Sequence, residues 1–276
     1  IDDYATLLKL NNYRHNDIKK LYQLNDADLQ SSFNYIDNDF DAIDAHFTSL
    51  LLNKKNGWDA LTYVWDIEKG DAYLALGGKT IEVTDVITPS NAPSIRYRAP
   101  NKNQCKECHA ANDLITPIGP KARNLNKIYN YDDGSFNQLT YWIKKDFIDS
   151  VPINIKSPVD WTNEELDLDS RVRSYLDINC GHCHATTGVA NSTGLYLHLN
   201  EDRDAHLGIY KKPVATGRGS GGNLYSLVPG KPEESIMLYR MISKDPGVMM
   251  PESGRSLTHQ EAIVMVRDWI KQMDKR

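Results

Sequence analysis

The sequence has no run of about 18 apolar residues, so nothing in it reads as a membrane-spanning helix. It has no initiating methionine: Ile1 opens it, with no charged stretch leading into an apolar one. The expectation is a processed or trimmed chain whose signal peptide or lipid anchor has already gone. Methionine is missing from the whole first part, all six lying at residue 237 or later. An excess of positive charge is missing too. The formal net charge is −5, which argues against nucleic acid as a partner and permits docking to a basic protein surface. Otherwise the 276 residues are ordinary, 40% hydrophobic and 25% charged, enough for two or three compact units.

Cysteine is scarce, and its placement is informative. All four cysteines fall in two five-residue stretches, Cys105-Lys106-Glu107-Cys108-His109 and Cys180-Gly181-His182-Cys183-His184. Cys-x-x-Cys-His is the pattern of covalent haem attachment. Cysteines three apart share one turn of chain and can bond the two vinyl groups along one haem edge. The next residue, His, then falls beneath the porphyrin and ligates the iron. Two haem c groups are therefore expected, with His109 and His184 as iron ligands. A four-cysteine zinc site would want its second pair about 15–20 residues after the first. Cys180 follows Cys108 far beyond that, and zinc would leave both histidines as coincidences. A thioredoxin-like dithiol has one such pair beside a βαβ unit, not two. A disulfide inside Cys-x-x-Cys closes too small a loop to stabilise much.

The pattern along the chain suggests three parts: residues 1–98, 99–158 and 159–276. Residues 1–46 are polar and irregular, with a short helix read at residues 17–22. After Thr48 come β-prone runs at residues 50–52, 61–65, 73–76 and 80–83, with hairpin signals at Asn56-Gly57 and Gly77-Gly78. Residues 137–148 look helical, and residues 151–160 read as a linker. Thr162 with Glu165 reads as a capping box, and Trp161 with Leu166 as a hydrophobic staple. Leu168, Val172, Tyr175 and Leu176 then share a helical face running into Cys180. Thr258 with Glu261 is a second capping box, before an apolar stripe of Ile263, Val266, Ile270 and Met273. The stretch Gly217–Gly222 lacks the Gly-Lys-Ser/Thr ending of a phosphate loop and reads as a flexible loop. Arg218 and Arg240 are candidate haem propionate partners, or else ordinary surface arginines.

From about Thr48 to Met273 the chain resembles a family of uncharacterised secreted bacterial proteins with two haem-binding motifs. The matching segments are Gly57-Trp58, Tyr63-Val64-Trp65, Tyr97-Arg98-Ala99-Pro100, Gln104 to His109, Pro117 to Asn126, Tyr175 to His184, Pro229-Gly230-Lys231-Pro232 and Met250-Pro251-Glu252. The first 46 residues depart from that family, where a longer β-rich stretch is usual. The last part also resembles class I cytochrome c domains, in which a helix before the motif crosses a helix at the domain's end. That resemblance implies Met250 as sixth ligand of the second haem, with Met249 the alternative. It also implies that Pro120 packs on His109, a carbonyl there accepting the free ring N–H. The first haem has no comparable Met. Its distal ligand is a His, another side chain, a Met from the second unit or nothing; among His15, His46, His182, His198 and His206, His46 is taken first. The implied fold is α+β: a small antiparallel β unit followed by two mainly α-helical cytochrome c-like units.

The expected function is electron transfer between a redox donor and an acceptor through two haems of different ligation, the second at higher potential. A dihaem peroxidase-like enzyme, with one iron open to substrate, is the enzymatic alternative. A subunit of a larger redox assembly is the third reading, with Trp58 and Trp65 as docking aromatics. Because haem c is attached outside the cytoplasmic membrane, the expected location is extracytoplasmic, in the periplasm or at the outer cell surface.

Overall fold

The structure, a computed structural model, describes residues 47–54, 57–66, 69, 71–83 and 95–273. The helix read at residues 17–22, together with His15 and His46, lies outside them. The described architecture is α+β. Three antiparallel strands come first, β1 (Phe47–Lys54), β2 (Gly57–Asp66) and β3 (Asp71–Leu74), with β2 in the centre. β2 is rich in aromatic and β-branched residues, which suit a pleated, packed surface. Ala60 to Val64 are buried in succession, as a strand covered on both faces should be. The β1–β2 register brings Lys54 opposite Gly57, in keeping with the hairpin signal at Asn56-Gly57.

Gly77-Gly78 does not close a hairpin. Gly78 N donates to Ala75 O in a turn that passes the chain to a second sheet, where β4 (Lys79–Val83) pairs with β5 (Ile95–Ala99). Gly78 is needed there: its φ is +65°, and a Cβ would stand 2.4 Å from Ala99 O.

Around the first motif the elements are short. They are α1 (Cys105–His109), the hairpin β6 (Ala110–Ala111) and β7 (Leu114–Ile115), α2 (Ala122–Leu125), the hairpin β8 (Ile128–Tyr131) and β9 (Gly134–Asn137), and α3 (Gln138–Lys144). α3 begins where Asn137 accepts from the Leu139 and Thr140 N–H groups, a side-chain cap. The mainly helical expectation therefore does not describe this segment. Its backbone is largely hairpins and turns, and no helix in it exceeds seven residues.

The long helices lie in the last segment: α4 (Leu168–Asn179) and α7 (Gln260–Gln272), with α5 (Asp204–Leu207) and α6 (Ile236–Ile242) between them. Both capping boxes are corrected. Asp167 caps α4, accepting from Ser170 N at 2.9 Å, five residues beyond Thr162. Thr162 instead bonds Asp160 in the preceding turn, because the nearer Asp competes for its hydroxyl. α7 starts after His259 with no side-chain cap, and Thr258 takes the Gln260 side chain. The staple is not made either: Leu166 is exposed, and Trp161 packs edge-on against Tyr175 and His259.

α4 and α7 share one core of Val172, Leu176, Leu227, Leu238, Val266 and Ile270, all at or below 1% exposure. Trp269 Nε1 donates to Asp169 at 2.7 Å and ties the two helices at their far ends. Leu176 sits one turn before Cys180, so this core fixes where the second motif begins. Truncation by Leu176→Ala should destabilise the chain by about 2–5 kcal/mol, read from the urea midpoint. A loss under about 0.5 kcal/mol, the scale of a surface substitution, would remove the claim that this core holds the motif.

Candidate functional site

The first motif is α1 itself, seated between the strands and a tight hairpin. Cys105 is buried against Ala60, with Trp58 and Ile115 beside it. Trp58 thus packs at the motif instead of standing at a docking surface. After His109 the chain turns at Asn112 and Asp113, whose φ values of 50° and 64° are the two positive angles of a type I′ turn. Asn and Asp tolerate that left-handed geometry better than other side-chain-bearing residues. The turn pairs Ala110 with Ile115 and returns Thr116 to His109. Thr116 N donates to His109 O at 2.7 Å, and His109 Nδ1 lies 3.1 Å from Thr116 O. The carbonyl that holds the ring is therefore that of Thr116, four residues before Pro120, because the hairpin folds back sooner than the resemblance implies. Burial lowers the His109 pKa, against the hydrogen bond at Thr116.

The second motif starts where α4 ends. Cys180 N closes the helix on Leu176 O, and Cys183 N and His184 N both turn back to Cys180 O. Gly188 lets the following loop lie against this turn, since a Cβ there would stand 2.3 Å from Cys183 O. His184 is largely buried, and burial pushes its pKa down to about 4. A hydrogen bond at the Leu195 backbone works against that shift.

The two motifs meet. Cys108 Sγ, a ring nitrogen of His182 and Cys183 Sγ lie within 4.8 Å of one another. This Cys–Cys–His cluster is able to hold a metal ion. Cys183 Sγ also donates to Glu107 O at 3.2 Å, Asn112 N donates to Thr187 O, and Ala111 forms a bridge with Gly188. The thiols share their hydrogen bond unequally. Cys183 and then His182 lower the Cys108 pKa, while the same bond to Cys108, followed by burial, raises that of Cys183. Burial raises Cys180 to about 12. All four cysteines are free thiols, and among the described residues Cys105 and Cys180 stand outside the cluster. The four sulfurs thus do not converge on a closed zinc site.

Searches of protein-family models, curated proteins and solved structures returned no match to this chain. The site therefore stands on its own residues.

A cavity of about 300 Å³ opens beside His109, and His182, His198, Lys121 and Arg123 are among its lining residues. Arg123 is fixed by a two-pronged pair with Asp177 at 2.9 and 2.8 Å, and Asp177 also accepts from Leu199 N at 2.8 Å. Burial, then the neighbouring Arg123, lowers the Lys121 pKa. Sequence reasoning missed Thr116, and it gave no role to Lys121, Arg123 and Asp177, although all three fall in segments that carry the family resemblance. For Thr116 the Asn112-Asp113 pair carried a readable signal, that of a tight hairpin returning the chain to His109.

The remaining candidates are placed as follows. Met250 is half-buried on the loop after α6, its N–H donating to Arg240 O at 3.0 Å. Arg240 bonds Val248 O and Glu252, and its charge also acts to lower His184. Arg218 pairs with Asp245 at the surface. Gly217–Ser220 is a 3-10 turn with Gly219 against the Arg240 guanidinium, so this stretch packs on α6 instead of forming a loose loop. Ser253, on the Met250 loop, donates to Glu107 of the first motif at 2.7 Å. Among the described residues no helix is long and apolar enough to cross a membrane.

Proposed function

We propose that the chain is a dihaem c-type cytochrome that passes electrons between a redox donor and acceptor. The observation that carries this reading is the meeting of the motifs at Cys108 and Cys183. Each motif would hold one haem at its two sulfurs, and the meeting of Cys108 with Cys183 would bring the two attachment points together.

The donor set fits the group. Each motif offers two free thiols and a histidine of lowered pKa, which is neutral and able to ligate at pH 7. Cys105 and Cys108 would hold the first haem with His109 beneath it, and Cys180, Cys183 and His184 the second, with Met250 as its further ligand. Haem iron supplies reversible one-electron chemistry. The chain's own residues do the rest. Thr116 O fixes the His109 ring and its tautomer, raising its basicity as a ligand. The α4–α7 core holds the start of the second motif, and the Arg240 and Arg255 contacts hold the loop that bears Met250. This reading places the protein outside the cytoplasm, where haem c is attached. It includes two cytochrome c-like units, free or within a larger redox assembly.

The polar cavity beside His109 favours one other reading, a peroxidase-like enzyme whose first iron is open to substrate. One experiment addresses both. The alkaline pyridine spectrum and intact mass of the purified holoprotein should report two covalent haems. A chain with the mass of the bare polypeptide would end the cytochrome reading. A high-spin iron that reacts with hydrogen peroxide would favour the enzyme; two low-spin irons indifferent to peroxide would favour the carrier.

A further inference from the structure

We infer that His198 is the distal axial ligand of the first haem; this rests on the dihaem reading above. The described histidines and methionines narrow the choice. His259 is held by the Tyr175 hydroxyl at 3.1 Å and by Trp161, away from the cavity. His206 bonds Glu201 through Nδ1 and stacks edge-on with Tyr196. His182 reaches the cavity but lies against the Cys108 sulfur, where the first haem would be attached. Met237, Met241, Met265 and Met273 belong to the α4–α7 core, and Met249 and Met250 lie on the loop after α6. His198 alone among these lines the His109 cavity without already lying against a motif sulfur.

Its surroundings suit a ligand. Its Nε2 stands 3.6 Å from Glu201, a buried carboxylate also held by Arg203 and His206. At that distance the contact is an ion pair and not a hydrogen bond, and it leaves Nδ1 as the nitrogen that would serve iron. The backbone is fixed as well. Arg173 donates to the carbonyls of His198, Leu199 and Glu201, and Leu199 N donates to Asp177. Through Arg123 the same Asp177 is joined to the wall of the cavity. The imidazole is thus presented from a braced segment to the side of the chain where the first haem would sit. Two histidines on the first iron and a His–Met pair on the second give the first haem the lower potential, so electrons would run from the first motif to the second.

The test uses the dihaem holoprotein with His198→Ala, His198→Met and His206→Ala, read by paramagnetic resonance, absorption and redox titration. His198→Ala should turn one of two low-spin haems high-spin and leave the Met–iron absorption band in place. Added imidazole should restore the low-spin signal, which a merely structural role would not predict. His198→Met should stay low-spin and raise the lower of the two midpoints, while His206→Ala should leave the spin states unchanged. A dihaem protein whose spin states and midpoints ignore both His198 variants overturns the inference, as does conversion by His46→Ala in their place. If His198→Ala loses haem on expression, the His198→Met midpoint decides: a shift supports ligation and no shift overturns it. A wild-type chain lacking haem c instead removes the underlying reading, a separate result visible in the pyridine spectrum alone.

Discussion

Replacing both cysteines of one motif should lower covalent haem from two per chain to one, and replacing all four should abolish it. The pyridine haemochrome per chain then falls by about half for Cys105→Ala/Cys108→Ala and for Cys180→Ala/Cys183→Ala alike. Intact mass gives the same count without reference to colour. The two double variants should differ in what they leave behind. Cys108 touches Cys183 and His182, so removing the first pair also removes a neighbour of the second motif. The second haem should therefore remain attached through Cys180 and Cys183 with its Met–iron band, but at a shifted midpoint. A single replacement, Cys108→Ala, leaves one thioether and should weaken attachment without eliminating it. If either double variant kept both haems, or if each lost both, the motifs would not be independent attachment sites and the dihaem reading would fail.

Asp177→Ala should be the most destabilising single substitution outside the apolar core. Asp177 is 1% exposed and accepts three hydrogen bonds, two from Arg123 and one from Leu199 N. A buried pair of this kind is weak evidence of net stability, because taking both charges from water offsets most of their attraction. Removing one partner is different. It leaves the half-buried Arg123 guanidinium and a backbone N–H without their acceptor, at a cost of about 3–5 kcal/mol. Asp177→Asn keeps an acceptor oxygen for Leu199 N and should cost less, about 1–3 kcal/mol. Urea midpoints of the holoprotein give both values. The same bonds join α4, the cavity beside His109 and the segment bearing His198, so Asp177→Ala should also disturb the first haem's spectrum before the second's. Equal midpoints for wild type and Asp177→Ala would show that these bonds hold nothing together.

Local structure was legible wherever it depended on neighbours in the chain. Cys-x-x-Cys-His is a local spacing, and so are the strand runs and the apolar stripes of α4 and α7. Those helices form where the periodicity puts them, because burying Val172, Leu176, Val266 and Ile270 in one core outweighs the details of their ends. The helix ends were misread for the same reason. Asp160, Asp167 and Thr162 lie within one short polar stretch, and which of them caps α4 depends on where the packed face begins. The Gly77-Gly78 signal was a real turn, but only the pairing of β4 with β5 determines that it joins two sheets.

By itself, then, the sequence determined the α+β class, the two Cys-x-x-Cys-His stretches and the helices around the second one, all consequences of contacts a few residues apart. Tertiary structure alone decided that Thr116 and not Pro120 anchors His109, that Cys108 meets Cys183, and that Asp177 joins Arg123 to the residues beside His198. Those contacts link residues far apart in the chain, or depend on a left-handed turn at Asn112-Asp113. Their energy is gained only when separate segments pack, and no local pattern records which segments will.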